Sequence, residues 1–258
     1  MIQTGGWTTR TRKGLALATV ILVGWLISMV SLLMVDLSDW PGWLLPVAVL
    51  IRTLLQTGLF ITAHDAMHGV LVPERRRWNH RLGSFCLGLY GALPYQLCLR
   101  NHQRHHHCSA TAHDPDFHPD PTAGPLRWYL GFMAGYLNTA QMSRLLSIWG
   151  LLAMAFGTFS AGTWQNVLLF CTLPLLLSSI QLFVFGTYLP HRGQRVPEQN
   201  RRPASLDHPV WLSLITCFHF GYHREHHEHP ELPWFELPRQ RRLLRQLTPG
   251  LAARVPSL

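Results

Sequence analysis

The chain has 258 residues, of which 48% are hydrophobic and only 14% are charged, and its formal net charge is +9. Soluble domains average about 25% charged residues, so this composition argues against a soluble protein. The long apolar runs instead predict one integral membrane domain that covers residues 1–258.

Four apolar segments are predicted to cross the bilayer as helices, at residues 14–35, 43–63, 145–161 and 167–189. The first is interpreted as a retained anchor, because it is longer than the apolar region of a signal peptide. The second contains Arg52, and a charge inside a span is usually paired or functional; the alternative is a snorkelling arginine on a tilted helix, whose charged group reaches the membrane surface. The fold class is therefore predicted to be an all-α integral membrane protein with four transmembrane helices in two hairpins.

Two other apolar segments are not expected to be full crossings. Residues 82–99 contain Gly88, Gly91 and Pro94, which favours a re-entrant or interfacial segment. Residues 126–144 are predicted to form one amphipathic helix at the membrane surface that leads into the third span.

The positions of lysine and arginine predict the orientation of the spans. These residues lie before the first span and after the second and fourth, whereas the connections between spans one and two and between three and four contain none. The positive-inside rule then places both termini on the cytoplasmic side of a bacterial inner membrane. The five cysteines, odd in number, are expected to be reduced thiols there. Nucleic-acid binding is not expected, because no basic stripe or nucleic-acid module is present.

Most of the sixteen histidines fall into three clusters, in residues 64–68, 102–107 and 219–227. Side chains three or four residues apart share one face of a helix, so the histidines of each cluster are expected to point the same way, apart from His107. Eight or more imidazoles exceed the needs of one tetrahedral ion and predict two metal ions in a cytoplasmic cap. Imidazole suits zinc, copper, iron or nickel, so the ligands do not choose the metal.

The three clusters have the spacings H-x3-H, H-x2-H-H and H-x2-H-H in a chain with four predicted spans. This pattern resembles that of the membrane fatty acid desaturase and hydroxylase superfamily. Neighbouring residues narrow the resemblance to the bacterial and cyanobacterial β-carotene 4-ketolases. The segments that carry it are HDAMHG at 64–69, DPDF at 114–117, LFVFGTYLPHR at 182–192 and CFHFGYHREHHEHP at 217–230. The resemblance runs from about the first span to Pro238.

The resemblance implies a centre of two Fe2+ ions. The ligands carried over are His64, His68, His102, His105, His106, His223, His226 and His227. Further candidate ligands are His191 and His219. Asp65, Asp114 and Asp116 are expected either to accept the free N–H of ligand imidazoles or to form turns and caps. Cys108 stands where relatives often have another histidine, and no role is assigned to it.

By the same resemblance, the protein is expected to be a carotenoid oxygenase that converts β-carotene to echinenone and canthaxanthin. Two successive O2-dependent hydroxylations at C4 of the β-ionone ring, followed by loss of water, would leave the ketone. The chain has no dinucleotide fingerprint and no cysteine spacing for an iron–sulfur cluster, so an external donor, expected to be of the ferredoxin type, must supply electrons. Candidate walls of the carotenoid pocket are Phe183, Phe185, Tyr188 and the tryptophans.

Two alternatives remain open at this point. A carotenoid 3-hydroxylase or a fatty-acyl desaturase or hydroxylase of the same superfamily would use the same histidines. A histidine-rich membrane protein that binds or transports metal belongs to another class. A transporter is expected to carry ionisable residues near the middle of several spans, whereas only Arg52 meets that description here.

Overall fold

The computed structural model describes residues 6–38, 40–118, 120, 122–157, 162–192 and 203–247, and within them the protein is helical with no β-strand. The helices are α1 (Thr9–Leu33), α2 (Leu44–Met67), α3 (Arg76–Gly91), α4 (Tyr95–His107), α5 (Pro125–Ala134), α6 (Thr139–Phe156), α7 (Thr163–His191), α8 (Val210–Cys217), α9 (His223–Glu228) and α10 (Leu237–Leu247). Two π-helical turns, Leu168–Thr172 and Val184–Tyr188, lie within α7, and a 3-10 turn, Trp234–Glu236, precedes α10.

Three of the described helices, α1, α2 and α7, are long and apolar enough to cross a membrane, as predicted for the first, second and fourth spans. Helices α3 and α4 are long and apolar enough to cross a membrane only when they are taken together, and the pair is bent by 102°. At the bend Ala92 has a left-handed φ of 52° and Pro94 precedes α4. The interruption predicted for residues 82–99 is therefore present, and the number of candidate spans is three or four.

The third predicted span, 145–161, differs from the structure. Its described part belongs to α6, which begins earlier, at Thr139, and which is not among the described helices that are apolar enough to cross a membrane. Gln141 and Arg144 in the first turns lower its mean hydropathy. Residues 158–161 lie outside the described part of the chain.

The single surface helix predicted for residues 126–144 is wrong, because the structure divides this segment between α5 and α6. Gly135 ends α5, and glycine is a poor helix former. Asn138 then begins α6, since its side chain accepts a hydrogen bond from the backbone N–H of Gln141 at 2.9 Å. Asparagine is among the residues that most favour this capping position, so the break follows from local chemistry.

Helix α2 lies at the centre of the fold and packs against α1, α3 and α7. Gly83 permits the close approach of α3, because a Cβ atom at that position would lie 2.6 Å from the Cβ of Ala66. Arg52 is buried between the helices and donates hydrogen bonds to the carbonyls of Trp25 on α1 and Phe170 on α7. Arg52 therefore joins three helices rather than reaching to the membrane surface.

Candidate metal centre

The ends of α2, α4, α7 and α9 meet and bring nine of the ten predicted histidine ligands together. The first group consists of His64, His68, His102, His106 and His226. The second group consists of His105, His191, His223 and His227. In each group, one possible ligand nitrogen of each residue lies within 4.8 Å of all the others. Residues far apart in the sequence thus form two clusters of donors.

The ring nitrogens of the first group face one another. The Nε2 atoms of His68 and His102 are 2.6 Å apart, and those of His106 and His226 are 2.9 Å apart. Both ring nitrogens of His64 are buried and have no hydrogen-bond partner among the described residues. Leaving a buried polar atom unpaired is costly, so these nitrogens indicate a missing partner such as a metal ion.

The second group has the same arrangement and adjoins the first. The Nε2 atoms of His105 and His227 are 3.0 Å apart, as are those of His191 and His223. The rings of His106 and His227, one from each group, stack with their centroids 4.1 Å apart. Two ions held by these groups would therefore lie side by side.

The donors fit metal ions in spacing and in protonation state. Metal–imidazole bonds of about 2.0–2.1 Å, as in zinc sites, place two ligand nitrogens of one ion no more than about 4 Å apart. The Nε2 pairs described above, at 2.6–3.0 Å, lie within that limit. Burial lowers the pKa of His223, His226 and His227 well below its usual range, which keeps these imidazoles neutral. A neutral imidazole retains the lone pair that a metal ion requires. The two histidine groups therefore have the donors, the burial and the protonation state that a metal site requires.

The three predicted carboxylate partners occupy different positions. Both carboxylate oxygens of Asp114 lie within hydrogen-bond distance of His105 Nδ1, at 2.9 and 3.0 Å. Asp65 is 3.9 Å from His64 Nδ1 and accepts instead from the backbone N–H of Trp234 at 3.4 Å. Asp116 is 3.9 Å from His105 Nδ1, and burial raises its pKa to about 6. Only Asp114 of the three is close enough to orient a ligand imidazole.

The geometry does not support His219 as a ligand, because it lies outside both groups. The prediction assumed one continuous helix through residues 219–227. Instead α8 ends at Cys217, Phe218 and His219 have left-handed φ angles of 47° and 65°, and α9 begins at His223. The His219 ring stacks on Tyr222 with an interplanar angle of 7°. Cys108 is also outside both groups, and all five cysteines are free thiols.

A largely apolar cavity of about 360 Å³ lies between the helices and reaches both histidine groups. The histidines at its inner end are His64, His102, His105 and His223. Its other walls include Phe60, Tyr90, Tyr129, Phe132, Tyr136, Trp149, Leu175 and Phe220. The predicted walls Phe183, Phe185 and Tyr188 are not among its lining residues, and Phe183 packs against Trp128 and Tyr188 instead.

Comparison with known proteins identifies the family. The sequence profile named "Fatty acid desaturase" matches residues 38–256, which include all the histidines of both groups. The chain belongs to the fatty acid desaturase family.

Proteins that are similar to the chain include carotenoid ketolases. A "Beta-carotene ketolase" of Paracoccus sp. strain PC1 is 41% identical over 92% of this chain and 96% of its own length. A "Beta-carotene ketolase" of Paracoccus sp. strain N81106 is 44% identical over 73% of this chain and 76% of its own length. A "Zeaxanthin 4-ketolase" of Chlamydomonas reinhardtii is 38% identical over 76% of this chain and 44% of its own length. The likeness noted in the sequence is thus confirmed.

One buried ion pair beside the histidine groups was not predicted from the sequence. Glu225 lies in α9 between two ligand histidines, is 5% exposed and accepts a hydrogen bond from Arg241 Nη1 at 2.8 Å. It also accepts from the Ser205 hydroxyl. The pair joins α9 to α10 and so helps to hold the histidines of α9 in place. An acidic residue inside a histidine cluster was the available signal, but its partner is distant in sequence.

Proposed function

We infer that this protein is a β-carotene 4-ketolase, an oxygenase that converts the C4 methylene of a β-ionone ring to a ketone. The observation that carries this inference is the apolar cavity that ends on both histidine groups. Such a cavity suits a hydrocarbon ring that must be held against a metal site. The names of the similar proteins identify the class of substrate.

We propose that the two histidine groups each hold one iron ion, with His105, His191, His223 and His227 on one and the remaining five histidines on the other. Bound iron would supply O2 activation, with O2 as co-substrate and two electrons from an external donor for each hydroxylation. The first hydroxylation replaces one C4 hydrogen with a hydroxyl, and the second gives a geminal diol. The diol loses water and leaves the ketone. The aromatic walls exclude water and place C4 beside the histidines.

Our proposed topology has four crossings in two hairpins, with the histidine cap on the cytoplasmic side. Helix α7 ends with His191 at the metal centre, so it begins at the opposite membrane surface. There Asn166 donates a hydrogen bond to the carbonyl of Val35, which follows α1, at 2.8 Å. Helix α6 packs against the beginning of α7 and supplies Ala153 to the same apolar cluster as Leu33. This position supports α6 as the third crossing in spite of its polar first turns.

The α3–α4 pair is proposed to be re-entrant. It follows His68 and returns to His102, and both residues belong to the first histidine group. A complete crossing would place these two residues on opposite membrane surfaces. Both termini then lie with the metal centre on the cytoplasmic side, in agreement with the distribution of basic residues.

The proposed electron donor is a ferredoxin-type protein that docks on the cytoplasmic face. A second pocket, lined in part by Gln103, His107 and Pro230, opens onto His68, His102 and His106 of the first group. Arg100 and Arg104 on α4 are exposed, and Arg75, Arg76 and Arg77 are exposed at the start of α3. A basic surface beside the metal centre would attract an acidic donor over long distances.

Expression in a bacterium that accumulates β-carotene tests the function. Chromatography and mass analysis are expected to find products in which a ring has gained one oxygen and lost two hydrogens. Hydroxylated end products would assign the protein to the carotenoid hydroxylases. Unchanged β-carotene, from a protein that is inserted and loaded with iron, would contradict a carotenoid substrate and favour an acyl chain. Failure to bind iron would contradict the proposed iron centre.

Filling the cavity is expected to reduce ketone formation without loss of metal. Leu175 lines the cavity on α7, and the larger side chain of Leu175→Trp would occupy the space of the substrate ring. We expect the yield of ketone to fall several-fold while the iron content stays unchanged. Ile180→Trp is the matched control, because Ile180 lies on the same helix but is 39% exposed and does not line the cavity. Equal yields from the two variants would contradict this use of the cavity.

A further inference from the structure

Asp116 supplies the only carboxylate among the described residues that line the cavity. Its side chain is 14% exposed, and Oδ2 lies 3.9 Å from His105 Nδ1. The ring of β-carotene is a hydrocarbon and has no polar group for a carboxylate to bind. Burying a carboxylate without a full set of hydrogen bonds is costly, so Asp116 calls for an explanation.

Asp116 is not needed to orient the His105 ring, because Asp114 already does so. Asp114 lies within hydrogen-bond distance of His105 and also accepts from the backbone N–H groups of Ala110 and Asp116, at 2.8 and 2.9 Å. The Asp116 carboxylate accepts a single long bond, 3.4 Å from Tyr136 Oη, among the hydrogen bonds of the described residues. It therefore retains free acceptor positions that face the cavity.

The backbone holds Asp116 in this position. Its carbonyl accepts a hydrogen bond from Trp128 Nε1 at 2.9 Å, and Trp128 is buried on α5. The Asp-Pro-Asp turn thus presents its two carboxylates differently, with Asp114 toward His105 and Asp116 toward the cavity. A ligand hydroxyl near the metal centre could donate to Asp116.

We propose that Asp116 binds the hydroxyl group of the singly hydroxylated ring and retains this alcohol for the second oxidation. The inference rests on the proposed 4-ketolase function, in which the alcohol is the first product. The alcohol donates its O–H to a carboxylate oxygen of Asp116, while the remaining C4 hydrogen stays close to the histidine groups. Because the parent hydrocarbon cannot form this bond, Asp116 favours the alcohol over β-carotene and makes the ketone the main end product.

The test compares Asp116→Ala with the unmodified protein in cells that accumulate β-carotene. A hydrogen bond to a charged group is worth enough to change a partition by about tenfold, so we expect the ratio of 4-keto to 4-hydroxy product to fall by about that factor. Asp116→Asn keeps the shape and a neutral acceptor, and its ratio is expected to fall in the same direction by less. Direct feeding of the 4-hydroxy compound should show slower conversion to ketone by Asp116→Ala.

Asp114→Asn serves as the control for damage to the metal centre. It should lower both products together, with the ratio unchanged, because it alters His105 rather than the binding of the alcohol. An unchanged product ratio in Asp116→Ala would overturn the proposal. An equal decrease of both products with iron retained would also overturn it, since that pattern indicates a structural role. If Asp116→Ala does not accumulate in the membrane, an unchanged ratio in Asp116→Asn overturns the proposal.

Failure of the proposed function can be recognised in the same experiment. If the unmodified protein forms neither C4 alcohol nor ketone, the 4-ketolase function fails and the role of Asp116 fails with it. If the unmodified protein forms the ketone and the variants keep its product ratio, the role of Asp116 alone is disproved.

Discussion

Replacing His105 with alanine is expected to abolish formation of the ketone. His105 is 2% exposed at the end of α4, and its Nε2 atom is 3.0 Å from that of His227. It is one of only four imidazoles in the second group. Its loss leaves three nitrogen donors, and we expect the ion of that group to be lost. Pigment analysis in a β-carotene-accumulating host and iron content of the purified protein would measure both effects.

His113→Ala is the control for this variant. His113 lies in the connection that follows α4, is exposed, belongs to neither histidine group and lines neither of the two pockets. It should leave the iron content and the ketone yield close to those of the unmodified protein. Normal ketone yield from His105→Ala would remove the second group from the reaction.

Asp114→Asn is expected to lower metal affinity or turnover by about 10–100-fold, the effect typical of losing a carboxylate behind a metal-bound histidine. A carboxylate can only accept hydrogen bonds, so the proton of His105 lies on Nδ1 and the lone pair of Nε2 is left for the metal. Asp114 also accepts from Ala110 and Asp116. An asparagine has one acceptor oxygen and cannot satisfy all three donors. Iron titration and initial rates of ketone formation would measure the loss.

Asp120→Asn is the control from the same connection between α4 and α5. Asp120 pairs with the exposed Arg127 at 3.0 Å and belongs to neither histidine group, and surface ion pairs contribute little to stability. This variant should retain its iron affinity and activity. If Asp114→Asn binds iron as tightly as Asp120→Asn does, the hydrogen bond to His105 has no part in holding the metal.

The four-residue spacing of histidines within one helix correctly predicts pairs that lie together. His64 and His68 are four residues apart at the end of α2, and His102 and His106 are four apart on α4. Each pair belongs to a single group, as a shared helix face predicts. Local spacing fixes such pairs because the helical repeat is nearly constant.

The division into two groups could not be deduced from that spacing. His102 and His105 are three residues apart and share a face of α4, yet they belong to different groups. The assignment depends on how α4 is rotated relative to α2 and α9. That rotation is set by packing, including the close approach of Tyr95 on α4 to Gly83 on α3, which itself packs against Ala66 on α2.

The predictions from helical spacing are wrong where the backbone leaves the regular helix. The helical register that would place His219 and His223 on one face is lost at Phe218 and His219, which follow α8 and have left-handed φ angles. The helix expected over residues 126–144 is interrupted at Gly135 and Asn138. Short breaks of this kind are determined by tertiary contacts as well as by residue preference, so a helical pattern alone does not locate them.

The apolar segments, the three histidine clusters and the resemblance to carotenoid 4-ketolases follow from the amino-acid sequence, because they depend on local composition and spacing. Only the folded chain reveals which histidines form one group, which aspartate lies against His105 and which lines the apolar cavity. Asp114 and Asp116 are two residues apart and chemically identical, so nothing in the sequence distinguishes them. Their surroundings differ because the turn that carries them packs between α4 and α5, which places one carboxylate against His105 and the other in the cavity.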